Sequence, residues 1–126
     1  MSNVDTAKAA YTAFNEGDLA TMKQTWADNV HWWNSEETKP GGDRTGADQV
    51  MALILEMPQH WTGAQVSPTE FIEAGDYVVV RGTQHFENAK GSADAKFAHI
   101  LKFDGDGKCV DAEMHTDSAK AAKLQA

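Results

Sequence analysis

The stretch that decides the fold runs over residues 97–117: Phe97-Ala-His-Ile-Leu-Lys-Phe103, then Asp104-Gly-Asp-Gly-Lys108, then Cys109-Val-Asp-Ala-Glu-Met-His-Thr-Asp117. Two alternating runs flank a Gly-rich turn, which is the pattern of a β-hairpin. Successive side chains on a strand point to opposite faces. Phe97, His99, Leu101 and Phe103 therefore share one face, apolar except for His99. On the second arm the odd set is Asp111, Glu113, His115 and Asp117. An imidazole on an apolar face, beside a strand carrying carboxylates and a second imidazole, is expected at the polar end of an apolar pocket.

Reading outward, residues 77–87 form a long β-rich strand and residues 65–74 another, joined by a turn at Gly75-Asp76. Pro68 marks the earlier strand as an edge or a bulge. Residues 88–94 read as a Gly-containing turn into the hairpin. Residues 5–16 carry Ala7, Ala10, Tyr11 and Phe14 at helical spacing, with Asp5 as N-cap. Gly17-Asp18 ends that helix and opens a second with Leu19, Met22 and Trp26 on its stripe. Residues 30–34 make a short strand with Trp32 and Trp33, and 35–45 a polar loop. Residues 47–57 are the clearest helix, with Val50, Met51, Ile54 and Leu55 on one side and Pro58 closing it. Residues 118–125 are a final helical turn or a tail. Helices first and an antiparallel meander last define an α+β fold. A strongly curved sheet wrapped round the helices gives a cone with one closed pocket. Tyr11, Phe14, Trp26, Trp32, Met51 and Leu55 are its expected apolar interior.

At 126 residues the chain is expected to be one domain, 1–126, with a continuous core. A net charge of -8 argues against nucleic acid and against anionic membranes. No apolar run approaches the roughly 20 residues that span a bilayer. The start, Met-Ser-Asn-Val-Asp-Thr-Ala-Lys, does not read as a secretory signal. Cys109 is the single cysteine, so no internal disulfide forms, which suits a cytoplasmic protein. It reads as a small buried hydrophobe rather than a nucleophile.

The element order and several strings resemble the nuclear transport factor 2-like superfamily, whose fold is cystatin-like, and within it the SnoaL-like, polyketide cyclase-like branch. The strings are Tyr-Thr-Ala-Phe-Asn-Glu-Gly-Asp-Leu at 11–19, Trp-Ala-Asp-Asn-Val-His-Trp at 26–32, Gly-Ala-Asp-Gln-Val at 46–50, Glu-Ala-Gly-Asp-Tyr-Val-Val-Val-Arg-Gly-Thr at 73–83 and His-Thr-Asp at 115–117. The resemblance implies a cone of N-terminal helices packed in a curved mixed or antiparallel sheet. It implies Asp117 as general base, His99 as the group that holds or polarises a substrate oxygen, and Trp32 as a cavity wall. The segment after Gly82-Thr83 departs from the branch, reading Gln84-His85-Phe86 rather than His-Thr-Gly. The superfamily includes ketosteroid isomerases, dehydratases, cyclases and non-enzymes, so the fold does not choose an activity.

Hairpin register decides which groups meet. A turn centred near Ser92 puts His85 opposite His99, and one centred on Asp106 puts His99 opposite Glu113. His85, His99 and Glu113 then form a row, with His115 diagonal to His99. A carboxylate beside an imidazole raises its pKa and fixes its tautomer, which general acid–base catalysis uses. Asp117 is either a base in the pocket or the N-cap of the last segment. No metal is expected, because no tight His-x-His pair occurs and the 104–108 turn lacks the ligands of a calcium loop. No cofactor motif is present. The expected function is cofactor-free isomerase, cyclase or dehydratase chemistry on a small hydrophobic carbonyl compound, with Asp117 and His99 catalytic. Trp32, His85, Leu101, Glu113, His115, Tyr11 and Phe14 line the expected substrate pocket. The alternative is a non-catalytic ligand-binding or accessory module. A homodimer is expected, covering an outer sheet face around Val79.

Overall fold

The structure, a computed structural model, describes all 126 residues. In chain order the elements are α1 (Asn3–Glu16), α2 (Leu19–Gln24), β1 (Trp26–Asn34), β2 (Gly42–Thr45), α3 (Ala47–His60), β3 (Gly63–Ala74), β4 (Tyr77–Asn88), β5 (Gly91–Phe103), β6 (Cys109–Thr116) and α4 (Ser118–Gln125). The strands form one sheet in the order β2-β1-β6-β5-β4-β3. All neighbours are antiparallel except β1 and β6, which run parallel. The fold is α+β, with helices packed on a six-stranded sheet. No helix is long and apolar enough to cross a membrane.

Local chemistry explains the elements. The N-cap of α1 is Ser2, not Asp5: Asp5 N–H donates to Ser2 Oγ (3.1 Å) and Ser2 N–H to Asp5 Oδ2 (3.2 Å), a reciprocal capping box. Asp18 caps α2 through Thr21 N–H. Helix α3 runs past Pro58 to His60, so the proline sits inside the helix rather than ending it. Val50, Leu53 and Ile54 are its buried face, whereas Leu55 is exposed. The 35–45 segment is not all loop, because Gly42–Thr45 pairs with β1 as a short edge strand. Pro68 does lie on the other edge strand, where the register shifts between Pro68 and Glu70.

Two local features set the register. The β4–β5 connection is a two-residue turn, Ala89-Lys90, between the paired residues Asn88 and Gly91. Asn88 Oδ1 accepts from Lys90 N–H (2.9 Å), closing it as an Asx turn. In the β5–β6 hairpin Phe103 faces Cys109, as a turn centred on Asp106 requires, but the next pair is Lys102 with Asp111. Val110 is thus an extra residue, a β-bulge that moves every later side chain of β6 to the other face.

The inner face can be read row by row. Asn34, Met114, His99, Val80 and Phe71 form one row, and Trp32, Ala112, Leu101 and Val78 the next. Thr116, Phe97 and Gly82 form a third. Gly82 has no side chain for a steric reason: a Cβ there would collide with the Ser67 carbonyl and the Phe97 ring. Helices α1 and α3 lie against this sheet, α1 on β3 and β4, α3 on β1 and β2.

Candidate functional site

The inner face and the helices enclose a cavity of about 140 Å³. Its walls are mostly apolar: Phe14 of α1, Trp26 and Trp32 of β1, Ile54 and Met57 of α3, Leu101 and Phe103 of β5. The polar groups are few. Tyr11 and His99 sit together, Asn34 leads into the Ser35–Thr38–Pro40 wall, and Thr6, Thr25, Gln84, Thr116 and Ser118 add further polar groups. No charged side chain lines the cavity.

Tyr11 reaches His99 because α1 is pinned to the sheet. Asn15, one turn further along α1, donates from Nδ2 to the Val66 carbonyl (2.7 Å) and accepts from Val66 N–H (3.0 Å). This amide acts as a surrogate strand partner for β3 and fixes the helix in rotation and height. The Tyr11 hydroxyl then lies 2.6 Å from His99 Nδ1. The imidazole stacks on Phe97, with ring centroids 4.0 Å apart, and on Tyr11 at 5.8 Å. Burial drives both groups to neutrality. It pushes the His99 pKa down to about 3, with the nearby His115 adding to the effect, and raises Tyr11 above its usual range.

Counting protons defines what this pair offers. Neutral tyrosine and neutral histidine carry one O–H and one N–H, and one of the two is spent in the bond between them. The other remains, either on His99 Nε2 or on the Tyr11 oxygen, according to the tautomer. The pair thus presents one donor and one acceptor, and shifting two protons exchanges them. Such a donor suits a carbonyl or enolate oxygen. Burial moves the other titratable group of the wall away from neutrality as well, pushing Cys109 up to about 12.

Five expected site residues line the cavity: His99, Tyr11, Phe14, Trp32 and Leu101. Four do not, and each is a correction. His85 faces Asp94, not His99, because the turn before β5 has two residues rather than seven; its imidazole bonds Asp94 (2.8 Å) and Glu87 (3.3 Å) on the exposed face. Glu113 pairs with Ile100 and lies on the outer face, because of the Val110 bulge. The same bulge turns His115 outward, where it bonds Glu113 (2.9 Å) and packs on Trp33 at 5.0 Å. Asp117 is exposed at the N-cap position of α4, its side chain making no cap hydrogen bond, while its neighbours Thr116 and Ser118 line the cavity. His85, His99 and Glu113 therefore do not form a row. No cluster of three or more His, Cys, Asp or Glu side chains suited to a metal ion is present.

Sequence reading missed Asn34, Met114 and Thr116. All occupy inner positions set by the bulge and by the parallel pairing of β1 with β6. Trp61, buried against Phe86, also lines the cavity.

Helices packed on one face of a six-stranded sheet in this order make an NTF2-like fold, and solved structures share that fold. An NTF2-like protein of unknown function from Burkholderia pseudomallei is 35% identical, with a TM-score of 0.91 over 99% of this chain and 98% of that one. TerC, co-crystallised with polyporic acid, is 28% identical, with a TM-score of 0.89 over 97% and 96%. A protein of unknown function with a cystatin-like fold from Xanthomonas campestris is 21% identical, with a TM-score of 0.90 over 99% and 98%, a likeness of fold alone. A SnoaL-like domain model matches residues 7–112, so the chain belongs to the SnoaL-like family. No curated protein matches the sequence.

Proposed function

We propose that the protein binds a small, largely apolar carbonyl compound in this cavity, with the Tyr11–His99 pair donating to the carbonyl oxygen. The observation that carries the reading is the neutral Tyr11–His99 pair in a cavity with no charged wall. A donor buried among aromatic and aliphatic side chains selects ligands that bring one acceptor and otherwise apolar surface. A site with no carboxylate and no group titrating near neutrality favours binding over proton abstraction from carbon. Any chemistry here is electrophilic: the donor stabilises charge on the ligand oxygen and leaves deprotonation to the ligand's own acidity or to water. The similarity to TerC, crystallised with polyporic acid, supports a small-molecule ligand.

Trp26, Trp32 and Trp61 line the cavity and report on its occupancy. Titration with a series of single-ring ketones, followed by tryptophan fluorescence and calorimetry, is expected to give saturable one-site binding. His99→Leu and Tyr11→Phe should weaken it roughly tenfold, the worth of one buried hydrogen bond. Absence of saturable binding across the series, or binding indifferent to both substitutions, overturns the proposal.

A further inference from the structure

Asn34 ends β1 on the same inner row as Met114 and His99, with Met114 between the other two. Its Nδ2 donates to the Pro40 carbonyl at 2.9 Å. A carbonyl only accepts, so the orientation of the amide is fixed. The other end of that amide, Oδ1, is buried and has no hydrogen-bond partner, the one such side-chain atom in the protein. Among the other polar groups of the wall, the Thr6, Thr25 and Ser118 hydroxyls are engaged, donating to the Ser2 and Met22 carbonyls and to Glu37. A buried acceptor without a partner is a standing cost that an incoming donor relieves.

We propose that Asn34 is the second anchor of the cavity and that its ligand carries a hydroxyl or N–H at the end remote from the carbonyl. The inference rests on the reading of the Tyr11–His99 pair as the carbonyl anchor. Asn34 and His99 stand two strand spacings apart, about 10 Å between backbones. Side chains take up part of that span. What remains suits one ring with a polar group at each end. The cavity volume agrees, since a void of about 150 Å³ holds a single benzene ring. Between the anchors lies Met114, an apolar side chain that adapts to the face of a ring. The ligand class is thus a hydroxylated or amino-substituted cyclic carbonyl compound with donor and acceptor at opposite ends.

The test compares acetophenone with 4-hydroxyacetophenone by calorimetry on the intact protein. The hydroxylated ketone is expected to bind about tenfold more tightly. Asn34→Leu should abolish that ratio, both ketones being measured on both proteins. A readout without substitution uses the Asn34 side-chain amide resonances, which should move with the hydroxylated ketone and stay put with acetophenone. Equal affinities, a ratio that survives Asn34→Leu, or unmoved amide signals overturn the assignment of Asn34 while leaving the carbonyl reading intact. Failure of both ketones to bind overturns the carbonyl reading and this inference with it.

Discussion

The Tyr11 hydroxyl and His99 Nδ1 lie 2.6 Å apart across a sequence separation of 88 residues. One group comes from the first helix and the other from the fifth strand. Asn15 helps to hold that bond by tying α1 to Val66 of the β3 edge. Tyr11→Phe keeps the ring packing and deletes the hydroxyl. It should cost about 1–2 kcal/mol of stability in a urea unfolding titration, since His99 loses its partner in a buried setting. Asn15→Ala should cost a similar amount and also lower ligand affinity, because it frees the helix that carries Tyr11. An Asn15→Ala protein with unaltered affinity would show that the helix is held elsewhere.

The depressed pKa of His99 has a sign. Its folded value, about 3, lies below the ordinary 6.5, so the unfolded chain takes up the proton first. Stability from neutral His99 is fully present above about pH 6.5 and is lost as pH falls from there toward about 3. Between pH 6 and 4 the unfolding free energy should fall by about 1.4 kcal/mol per pH unit from this group, and His99→Leu should flatten that limb. The carboxylates Asp5, Asp18 and Asp48, each held below the usual range by a hydrogen bond, act only at lower pH.

His31 works in the opposite direction. On the outer face its two ring nitrogens each bond a carboxylate at 2.8 Å, Asp111 on β6 and Asp43 on β2. Its pKa is raised, first by the Asp111 hydrogen bond. A raised histidine contributes stability that is present below about pH 6.5 and lost as pH rises through the folded value. His31→Gln should remove that loss, seen as a smaller drop in thermal midpoint between pH 6 and 8.

Asp117 stands outside the cavity, at the entry to α4. Asp117→Asn should leave ligand affinity unchanged within about twofold. A large loss on this substitution would return Asp117 to the site.

Gly82 is inner-face backbone against which β3 and Phe97 pack without room for a methyl group. Gly82→Ala should destabilise by about 1–3 kcal/mol through overpacking, measured by chemical denaturation. The adjacent Phe97 supports the stacked His99, so affinity should fall as well.

Periodicity and turn chemistry carried much of the fold in the sequence. The alternation of Phe97, His99, Leu101 and Phe103 identified the inner face of β5, and all four are buried. The 3.6-residue spacing of α1 put Tyr11 and Phe14 on the stripe that faces the cavity. Element order and residue strings spread over nearly the whole length carried the family resemblance. These are local properties: they depend on which face a side chain takes within its own element.

Tertiary structure decided which elements meet and in what register. One bulged residue, Val110, moved Glu113 and His115 outward and brought Met114 and Thr116 inward. A two-residue turn at Ala89-Lys90 sent His85 to Asp94. The parallel pairing of β1 with β6 joined Asn34 to the row of His99. The side-chain period along a strand is two, so a single-residue slip exchanges the faces entirely, and alternation looks the same before and after it. Sequence could therefore nominate His99, but only the packed sheet and the pinned helix could choose Tyr11 as its partner and leave Asp117 in solvent.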